Sequence, residues 1–236
     1  MLVIFKQANP GNYKSGRTDG IKYIVIHYTA NNGDTAKGNV DYYANSVVEA
    51  SAHYYVDEYA DVYQSVKEQD TAWAVGGTNT YIHPYCRNAN SISIEMCSRN
   101  SNFTPPTKPS SAIDTGWYIK PETVENAIRL TKELMKKYNI PIENVLRHYD
   151  VWGKICPAPF VNNPEQWLKF KHRLIEEDAM NKYSYDTTVD NMIKDGVTNT
   201  DNMAYWEKAL DGREPLNKDF VRTILDRYHY KLTSKG

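Results

Sequence analysis

Short runs with strand character alternate with amphipathic helical stretches along the first three quarters of the chain. The run Lys22–Thr29 (KYIVIHYT) is apolar and rich in β-branched residues, which predicts a buried strand with His27 at its C-terminal end. The segment Ser91–Cys97 (SISIEMC) alternates strictly, so that Glu95 lies on the opposite face from the apolar residues. This succession predicts an α/β fold, with a central mixed β-sheet flanked by helices.

The other elements of this part are a hairpin, three helices and a short strand. Ser51–Val66 contains two alternating runs around a polar turn, which predicts the hairpin. Helical spacing predicts a helix over residues 36–49, a second helix that begins at Pro121 and a third helix after the N-cap Asn163. Asn144–Asp150 predicts the short strand.

The character of the sequence changes after residue 177. Residues 178–185 are polar and typical of a linker, and residues 186–236 contain three short helical segments, each with a capping signal. The sequence therefore predicts a first domain over residues 1–177 and a small C-terminal three-helix module with a marginal core.

Composition and charge exclude several classes of function. A formal net charge of −1 over 236 residues gives no electrostatic basis for binding nucleic acid or an anionic membrane. No apolar run reaches the roughly 18 residues of a membrane span, which argues against membrane insertion. The N-terminus lacks the apolar core of a signal peptide, so we expect synthesis in the cytoplasm, with free thiols on the three cysteines.

A histidine and a cysteine stand eight residues apart in the segment Arg147–Phe160 (RHYDVWGKICPAPF). His148 is predicted at a strand end, and Cys156 lies on the following loop, which two prolines stiffen. An enzymatic zinc site needs three protein ligands and one open position, and His27 is the third candidate. Spacing alone leaves open a buried structural histidine and an inert thiol.

Four segments together, YIVIHYTA, SAHYYVDE, SISIEMC and HYDVWGKICPAP, resemble the type 2 N-acetylmuramoyl-L-alanine amidases. This family includes bacteriophage endolysins, and animal peptidoglycan recognition proteins share its fold. The resemblance runs from about residue 20 to residue 175, in the family's order. It implies the amidase type 2 fold, and it implies Zn²⁺ as the cofactor, bound by His27, His148 and Cys156.

The same resemblance implies roles for three further residues. Glu95 resembles a glutamate of the bacillary members and would take a proton from the attacking water and return it to the departing amine. Lys154 resembles the family lysine that stabilises the oxyanion. Trp73 could form a platform for sugar or peptide. The alternatives are an exposed strand glutamate, a solvated loop lysine and a core tryptophan.

Two positions depart from the family's pattern. Some relatives have a catalytic tyrosine where this chain has Ala52, so more of the chemistry falls on Glu95. Family members often have a histidine at the position of Ala74, so a contact to the substrate is expected to be missing here. We assign no role to His53.

The resemblance implies a peptidoglycan hydrolase that cleaves the amide between N-acetylmuramic acid and L-alanine by zinc-activated water attack. The expected setting is a phage or prophage endolysin, which waits in the cytoplasm and reaches the cell wall through a membrane lesion. The C-terminal module could bind the cell wall, or it could be a structural or dimer-forming extension. Monomer and dimer both remain open.

Two other functions remain open at this point. The chain could be a peptidoglycan-binding recognition module without turnover, although such proteins usually replace the cysteine that is retained here as Cys156. It could also be a thiol hydrolase, with Cys156 as the nucleophile and His148 as the base. Metal content and sensitivity to chelators separate the thiol hydrolase from the zinc amidase.

Overall fold

A mixed β-sheet forms the centre of the computed structural model, which describes residues 2–76, 80–103 and 114–175. The predicted linker and the predicted C-terminal helices lie outside these residues. In chain order, the strands are β1 (Val3–Phe5), β2 (Tyr13–Lys14), β3 (Tyr23–Asn32), β4 (Tyr54–Val56), β5 (Val62–Gln64), β6 (Thr71–Ala72), β7 (Ser91–Asn100), β8 (Trp117–Tyr118) and β9 (Val145–Arg147).

The strand order in the main sheet is β1-β5-β4-β7-β3-β9, and β8 pairs with β7. The central strand β7 is parallel to both β4 and β3, and β3 is parallel to β9. The pairs β4–β5 and β7–β8 are antiparallel, and β2 and β6 form a separate two-stranded sheet. The predicted mixed sheet is therefore confirmed, and so is the hairpin, which is β4–β5.

The helices are α1 (Ala36–Asn45), α2 (Pro121–Tyr138), α3 (His148–Trp152), α4 (Ala158–Asn162) and α5 (Pro164–Ile175). The helix α2 begins at Pro121 as predicted and ends where Asn139 adopts a left-handed conformation. The side chain of Asn163 accepts the N–H of Gln166 at 3.4 Å, as expected of an N-cap of α5. The short helices α3 and α4 were not predicted.

The main hydrophobic core lies between one face of the sheet and the helices α2 and α5. It joins sheet residues such as Ile94 to Leu130 of α2 and Phe170 of α5, all of them almost fully buried. Because side chains alternate along a strand, His27 and Glu95 point to the opposite face. The helices α2 and α5 thus cover one face of the sheet, and the opposite face carries the polar site.

Three predicted boundaries were wrong. The strand predicted over Asn144–Asp150 ends at Arg147, and His148 is the first residue of α3, because the Asp150 side chain caps this helix at Arg147. His27 does not end its strand: β3 continues to Asn32 through a register shift, in which Ala30 has a φ of 48°. The first helix stops at Asn45 rather than extending to residue 49. The side chain of Asn12 causes this early end, because its amide donates to the carbonyl of Ser46 at 2.7 Å and its oxygen accepts the N–H of Val48 at 2.7 Å.

Among the described residues, no helix has both the length and the apolar character needed to cross a bilayer.

Candidate metal centre

Neighbouring strands carry the predicted site residues side by side. The parallel register pairs His27 of β3 with Glu95 of β7, and Glu95 in turn with Tyr55 of β4. On the other side of β3, the strand β9 ends one residue before His148. The ring centroids of His27 and His148 lie 4.7 Å apart. The sheet therefore fixes the spacing of His27, Glu95 and Tyr55, and its strand β9 leads directly into His148.

The side chains of His27, His148 and Cys156 converge, and all three are buried. One potential ligand atom from each lies within 4.8 Å of the others. The Sγ atom of Cys156 is 3.8 Å from Nδ1 of His27, although the two residues are 129 positions apart in the sequence. Donor atoms at this separation could share one tetrahedral ion.

A tight loop returns the chain from α3 to this point. Gly153 ends α3 with a φ of 75°, a left-handed conformation that suits glycine. The N–H of Tyr149 then donates to the carbonyl of Cys156 at 2.9 Å. This backbone hydrogen bond joins the first turn of α3 to the segment just before α4.

The ion pair between Arg147 and Asp150 fixes the start of α3. The Asp150 carboxylate accepts the backbone N–H of Arg147 at 2.8 Å and the guanidinium N–H at 2.7 Å. The same guanidinium donates to the carbonyl of Phe160 in α4 at 3.1 Å. Because His148 is the first residue of α3, this pair holds its backbone in place.

The electrostatics of the three candidate ligands follow mainly from burial. Burial lowers the pKa of His27 well below its usual range, and the neighbouring His148 adds to this effect. Burial, together with the Lys154 cation, lowers the pKa of His148 to about 4. Both imidazoles are therefore neutral, which is the form that binds metals. Burial raises the pKa of the Cys156 thiol to about 12, and the Glu95 carboxylate acts in the same direction.

The residues fit a zinc ion. Three buried ring nitrogens, Nε2 of His27 and both nitrogens of His148, have no hydrogen-bond partner among the described residues. Buried polar atoms normally have partners, and a cation held by both imidazoles would satisfy part of this deficit. Two imidazoles and one thiolate are a donor set that suits zinc, and three ligands leave one position open.

The carboxylate of Glu95 lies next to the cluster of His27, His148 and Cys156. Its Oε1 lies 4.0 Å from Nδ1 of His27, and its side chain is 20% exposed. Burial raises the pKa of Glu95 to about 7, although the Lys154 cation acts in the opposite direction. Its Oε2 has no hydrogen-bond partner among the described residues. A carboxylate in this setting can accept and release a proton near neutral pH.

Lys154 and Trp73 have less defined surroundings. Lys154 is exposed, two residues before Cys156, and its carbonyl accepts the N–H of Cys156 at 2.6 Å. Trp73 is half-buried after β6, and its backbone N–H donates to the Ser51 hydroxyl at 3.2 Å. The roles of both residues stay predictions.

Sequence analysis missed one aromatic contact at the site. The Trp152 ring stacks on the imidazole of His148, with centroids 6.0 Å apart and planes at 23°. Trp152 lies four residues after His148 in the HYDVWGK segment, and this proximity in the sequence could have indicated the contact. His53, to which no role was assigned, is fully buried, and its Nδ1 accepts the N–H of Ser93 at 3.0 Å. Ala52 is buried and packs in one cluster with Tyr43 and Tyr55.

A family model and curated relatives both identify the same protein family. A family model described as N-acetylmuramoyl-L-alanine amidase matches residues 16–159. The chain is 34% identical over 163 residues to the N-acetylmuramoyl-L-alanine amidase CwlL of Bacillus licheniformis, covering 66% of this chain and 41% of that protein. It is 31% identical over 187 residues to the amidase BlyA of Bacillus subtilis (strain 168), covering 73% and 45%. The chain thus spans less than half the length of these curated relatives.

Two solved structures are similar in fold. The structure of PlyL superposes with a TM-score of 0.57 at 29% identity, covering 76% of this chain and 100% of that one. The catalytic domain of XlyA superposes with a TM-score of 0.54 at 26% identity, covering 74% and 99%.

Proposed function

Because the chain belongs to the N-acetylmuramoyl-L-alanine amidase family, we propose that it hydrolyses the amide between N-acetylmuramic acid and L-alanine in peptidoglycan. The observation that carries this proposal is the convergence of His27, His148 and Cys156 beside the carboxylate of Glu95. This cluster is what hydrolysis of an unactivated amide requires: a place for a Lewis acid and a group that moves protons.

In this proposal, His27, His148 and Cys156 hold a zinc ion. Such an ion supplies Lewis-acid chemistry, which makes water more acidic and polarises a carbonyl oxygen. The neutral imidazoles offer nitrogen lone pairs without having to lose a proton. Cys156 gives up its proton on binding, so metal affinity should rise with pH. The rigid sheet and the Tyr149–Cys156 hydrogen bond keep the three donors in place.

Glu95 moves the proton. Its partly exposed carboxylate accepts a proton from the attacking water and delivers it to the L-alanine nitrogen as the amide C–N bond breaks. The products are a free carboxylate on the lactyl group and a free amino terminus on the peptide. The position of Glu95 next to His27 on the adjacent strand supports this role.

Lys154 supplies a fixed positive charge. It lies on the loop that carries Cys156, so its ammonium group can remain near the cluster without being buried. A cation at this position stabilises negative charge that develops on the carbonyl oxygen of the amide. Its effect on the pKa of both His148 and Glu95 supports a position within electrostatic reach.

A thiol hydrolase is less consistent with the same cluster. A cysteine nucleophile needs a depressed pKa, whereas burial raises the pKa of Cys156 to about 12. The thiol is only 3% exposed, which leaves little access for a substrate. A bound metal ion would explain why Cys156 is buried, and it would also stabilise the thiolate form of this residue.

We also propose an endolysin role, because one of the solved structures similar to this chain is that of a mutant endolysin from Bacillus subtilis. The enzyme would then act on the bacterial cell wall after passing a membrane lesion, and the C-terminal residues beyond 185 would bind the wall or extend the structure.

The experiment that tests the activity is a digestion of purified peptidoglycan. The expected result is the appearance of new L-alanine amino termini without new reducing sugars. A Glu95→Gln variant with normal metal content serves as the matched control and should release few termini. New reducing ends would instead indicate a glycosidase and overturn the proposal.

A further inference from the structure

Tyr55 extends the row of side chains that begins at the candidate metal centre. The parallel register pairs His27 with Glu95 and Glu95 with Tyr55, and residues paired in this way lie on the same face of the sheet. Tyr55 is only 1% exposed, although its ring carries a hydroxyl group. A buried phenol normally has a hydrogen-bond partner, so the neighbours of Tyr55 indicate what its hydroxyl group does.

The helix α1 covers Tyr55 with a second tyrosine. The ring of Tyr43 stacks on that of Tyr55, with centroids 5.6 Å apart and planes at 27°. Tyr55 lies in one buried cluster with Ala52 and Cys97, and Tyr43 packs against this cluster. Unlike Tyr55, Tyr43 is only half-buried. One phenol of the pair is therefore enclosed, and the other remains accessible from the face that carries the candidate metal centre.

The hydrogen bonds of the two phenols have a direction. Burial raises the pKa of Tyr55 well above its usual range; the backbone N–H of Ala52, which donates to its oxygen, opposes this, and donation of its proton to Tyr43 adds to it. Burial also raises the pKa of Tyr43 to about 12, and the Glu95 carboxylate adds to this effect, whereas the hydrogen bond from Tyr55 lowers the pKa. Tyr43 is thus the acceptor in this pair, and its own proton is available to another acceptor.

The Glu95 carboxylate offers such an acceptor. Its Oε1 lies 4.0 Å from Nδ1 of His27 and so faces the candidate metal centre. Its Oε2 is buried and has no hydrogen-bond partner among the described residues. Glu95 lies between His27 and Tyr55 in the row, next to the strand that Tyr43 covers. A carboxylate is also a stronger acceptor than a neutral oxygen.

We propose that Tyr43 is a positioning residue for Glu95: its hydroxyl donates to Oε2 of the carboxylate, and Tyr55 holds Tyr43 in that orientation. This rests on the proposed function, in which Glu95 moves the proton. A hydrogen bond to Oε2 fixes the carboxylate and keeps Oε1 directed towards the attacking water. Tyr43 itself does not take part in the proton transfer.

NMR tests the contact between the phenol and the carboxylate without measuring activity. The full chain is labelled with carbon-13 at Cζ of tyrosine, whose chemical shift reports hydrogen bonding of the hydroxyl group, and Tyr43→Phe identifies the Tyr43 signal by removing it. In Glu95→Ala, which lacks the acceptor, we expect this signal to move towards that of an exposed tyrosine such as Tyr85. The Tyr85 signal should stay in place. An unchanged Tyr43 signal overturns the proposal.

Kinetics test whether the contact matters for the reaction. Tyr43→Phe keeps the ring and removes only the hydroxyl group. On a soluble muramyl peptide, we expect kcat to fall about tenfold with KM and zinc content unchanged, because a hydrogen bond to a charged group is lost. Tyr42→Phe is the matched control, since Tyr42 is an exposed tyrosine of the same helix, and it should keep its rate. A wild-type rate in Tyr43→Phe overturns the proposal.

A double-mutant cycle shows whether Tyr43 acts through Glu95. In the Glu95→Ala background, Tyr43→Phe should cause no further loss of kcat, because the group that it positions is already absent. A further loss of about tenfold would mean that Tyr43 acts on the substrate directly, and it would overturn the proposal. Thermal unfolding of each variant checks that the fold is intact.

Tyr55→Phe tests the support of Tyr43. It removes the donor to Tyr43 and leaves the Tyr43 hydroxyl group in place, so kcat should fall by less than in Tyr43→Phe. No loss in Tyr55→Phe overturns the role assigned to Tyr55. If wild type cleaves no muramyl peptide, or if Glu95→Ala keeps its rate, the proposed function fails, whereas the NMR experiment still decides whether the Tyr43 hydroxyl contacts the Glu95 carboxylate.

Discussion

The carboxylate of Glu95 lies 4.0 Å from Nδ1 of His27, and the two residues are paired in register on the parallel strands β7 and β3. A proton acceptor thereby stands beside a candidate metal ligand on the most central part of the sheet. Both strands are buried, so neither side chain depends on a loop for its position. In this arrangement, different residues hold the ion and move the proton, so a substitution can remove either function and leave the other.

Replacing Glu95 by glutamine should remove the proton transfer and keep the metal. The amide retains the shape of the side chain but cannot accept the proton from water, so we expect kcat to fall by about 10²- to 10⁴-fold. Zinc content, measured by mass spectrometry, should match wild type. The exposed Glu143→Gln is the control and should keep its rate. An undiminished rate in Glu95→Gln would remove this residue from the mechanism.

Removing the metal should abolish activity, and zinc should restore it. We expect about one zinc per chain in the wild type and little in Cys156→Ser, because a hydroxyl is a far poorer zinc ligand than a thiolate. Cys86→Ser is the matched control, since Cys86 is also a buried free thiol but lies outside the cluster. Activity that survives a chelator and disappears on alkylation would instead identify a thiol enzyme.

Local signals made much of the fold predictable from the sequence. The helix α2 has an apolar stripe with Pro121 at its start, and α5 has Asn163 as its N-cap, so both were found within a few residues. Long-range contacts set the features that were missed. The end of α1 depends on Asn12, 34 residues before the Ser46 carbonyl to which it donates. The continuation of β3 depends on pairing with β7 across a register shift.

The candidate site was only partly accessible to sequence reasoning. The spacing of His148 and Cys156 is a local pattern, but His27 joins them from the distant strand β3; the residues alone made it a candidate, and the resemblance implied its role as a ligand. The helix α3 spans five residues and carries no apolar periodicity of its own. It forms because Asp150 caps its first turn and Gly153 ends it. These capping contacts depend on the conformation of the surrounding loop and leave no periodic pattern in the sequence. The stacking of Trp152 on His148 followed from that helix.

Lys154 should matter for the rate and not for metal binding. With Lys154→Met, we expect kcat to fall by about 10²- to 10³-fold, as for the loss of an oxyanion-stabilising group. Lys154→Arg should keep part of the rate because it keeps the charge. Lys169→Met, an exposed lysine on α5, controls for a change in net charge. Equal rates in Lys154→Met and the control would show that Lys154 is a solvated loop residue.

Glu68 should make the stability of the fold depend on pH. It accepts hydrogen bonds from Tyr54 at 2.6 Å and from Lys137 and Tyr138 of α2. Burial alone would raise the pKa of Glu68, but these hydrogen bonds outweigh it and lower the pKa below the ordinary 4.5. Its contribution to stability is therefore present above that value and disappears as the pH falls through the lowered pKa of the folded state.

The measurement is urea unfolding as a function of pH, from neutral pH down through the acid range in which Glu68 becomes protonated. As the pH falls, wild type should lose more free energy of unfolding than Glu68→Gln, which has no charge to lose. Glu143→Gln should behave like wild type, because Glu143 is exposed. A similar loss in wild type and Glu68→Gln would contradict the prediction.

Asp150 should control how tightly the metal is held, although it does not reach the candidate ligands. Its carboxylate fixes Arg147, and Arg147 in turn joins the start of α3 to the Phe160 carbonyl. With Asp150→Ala, His148 should lose its defined position, and we expect zinc affinity to fall by about 10- to 100-fold, as for other residues that orient metal ligands. Asp150→Asn keeps an acceptor for the backbone N–H and should lose less. Competition with a chromophoric chelator measures both, and wild-type affinity in Asp150→Ala would show that the sheet and the Tyr149–Cys156 hydrogen bond suffice to hold the site.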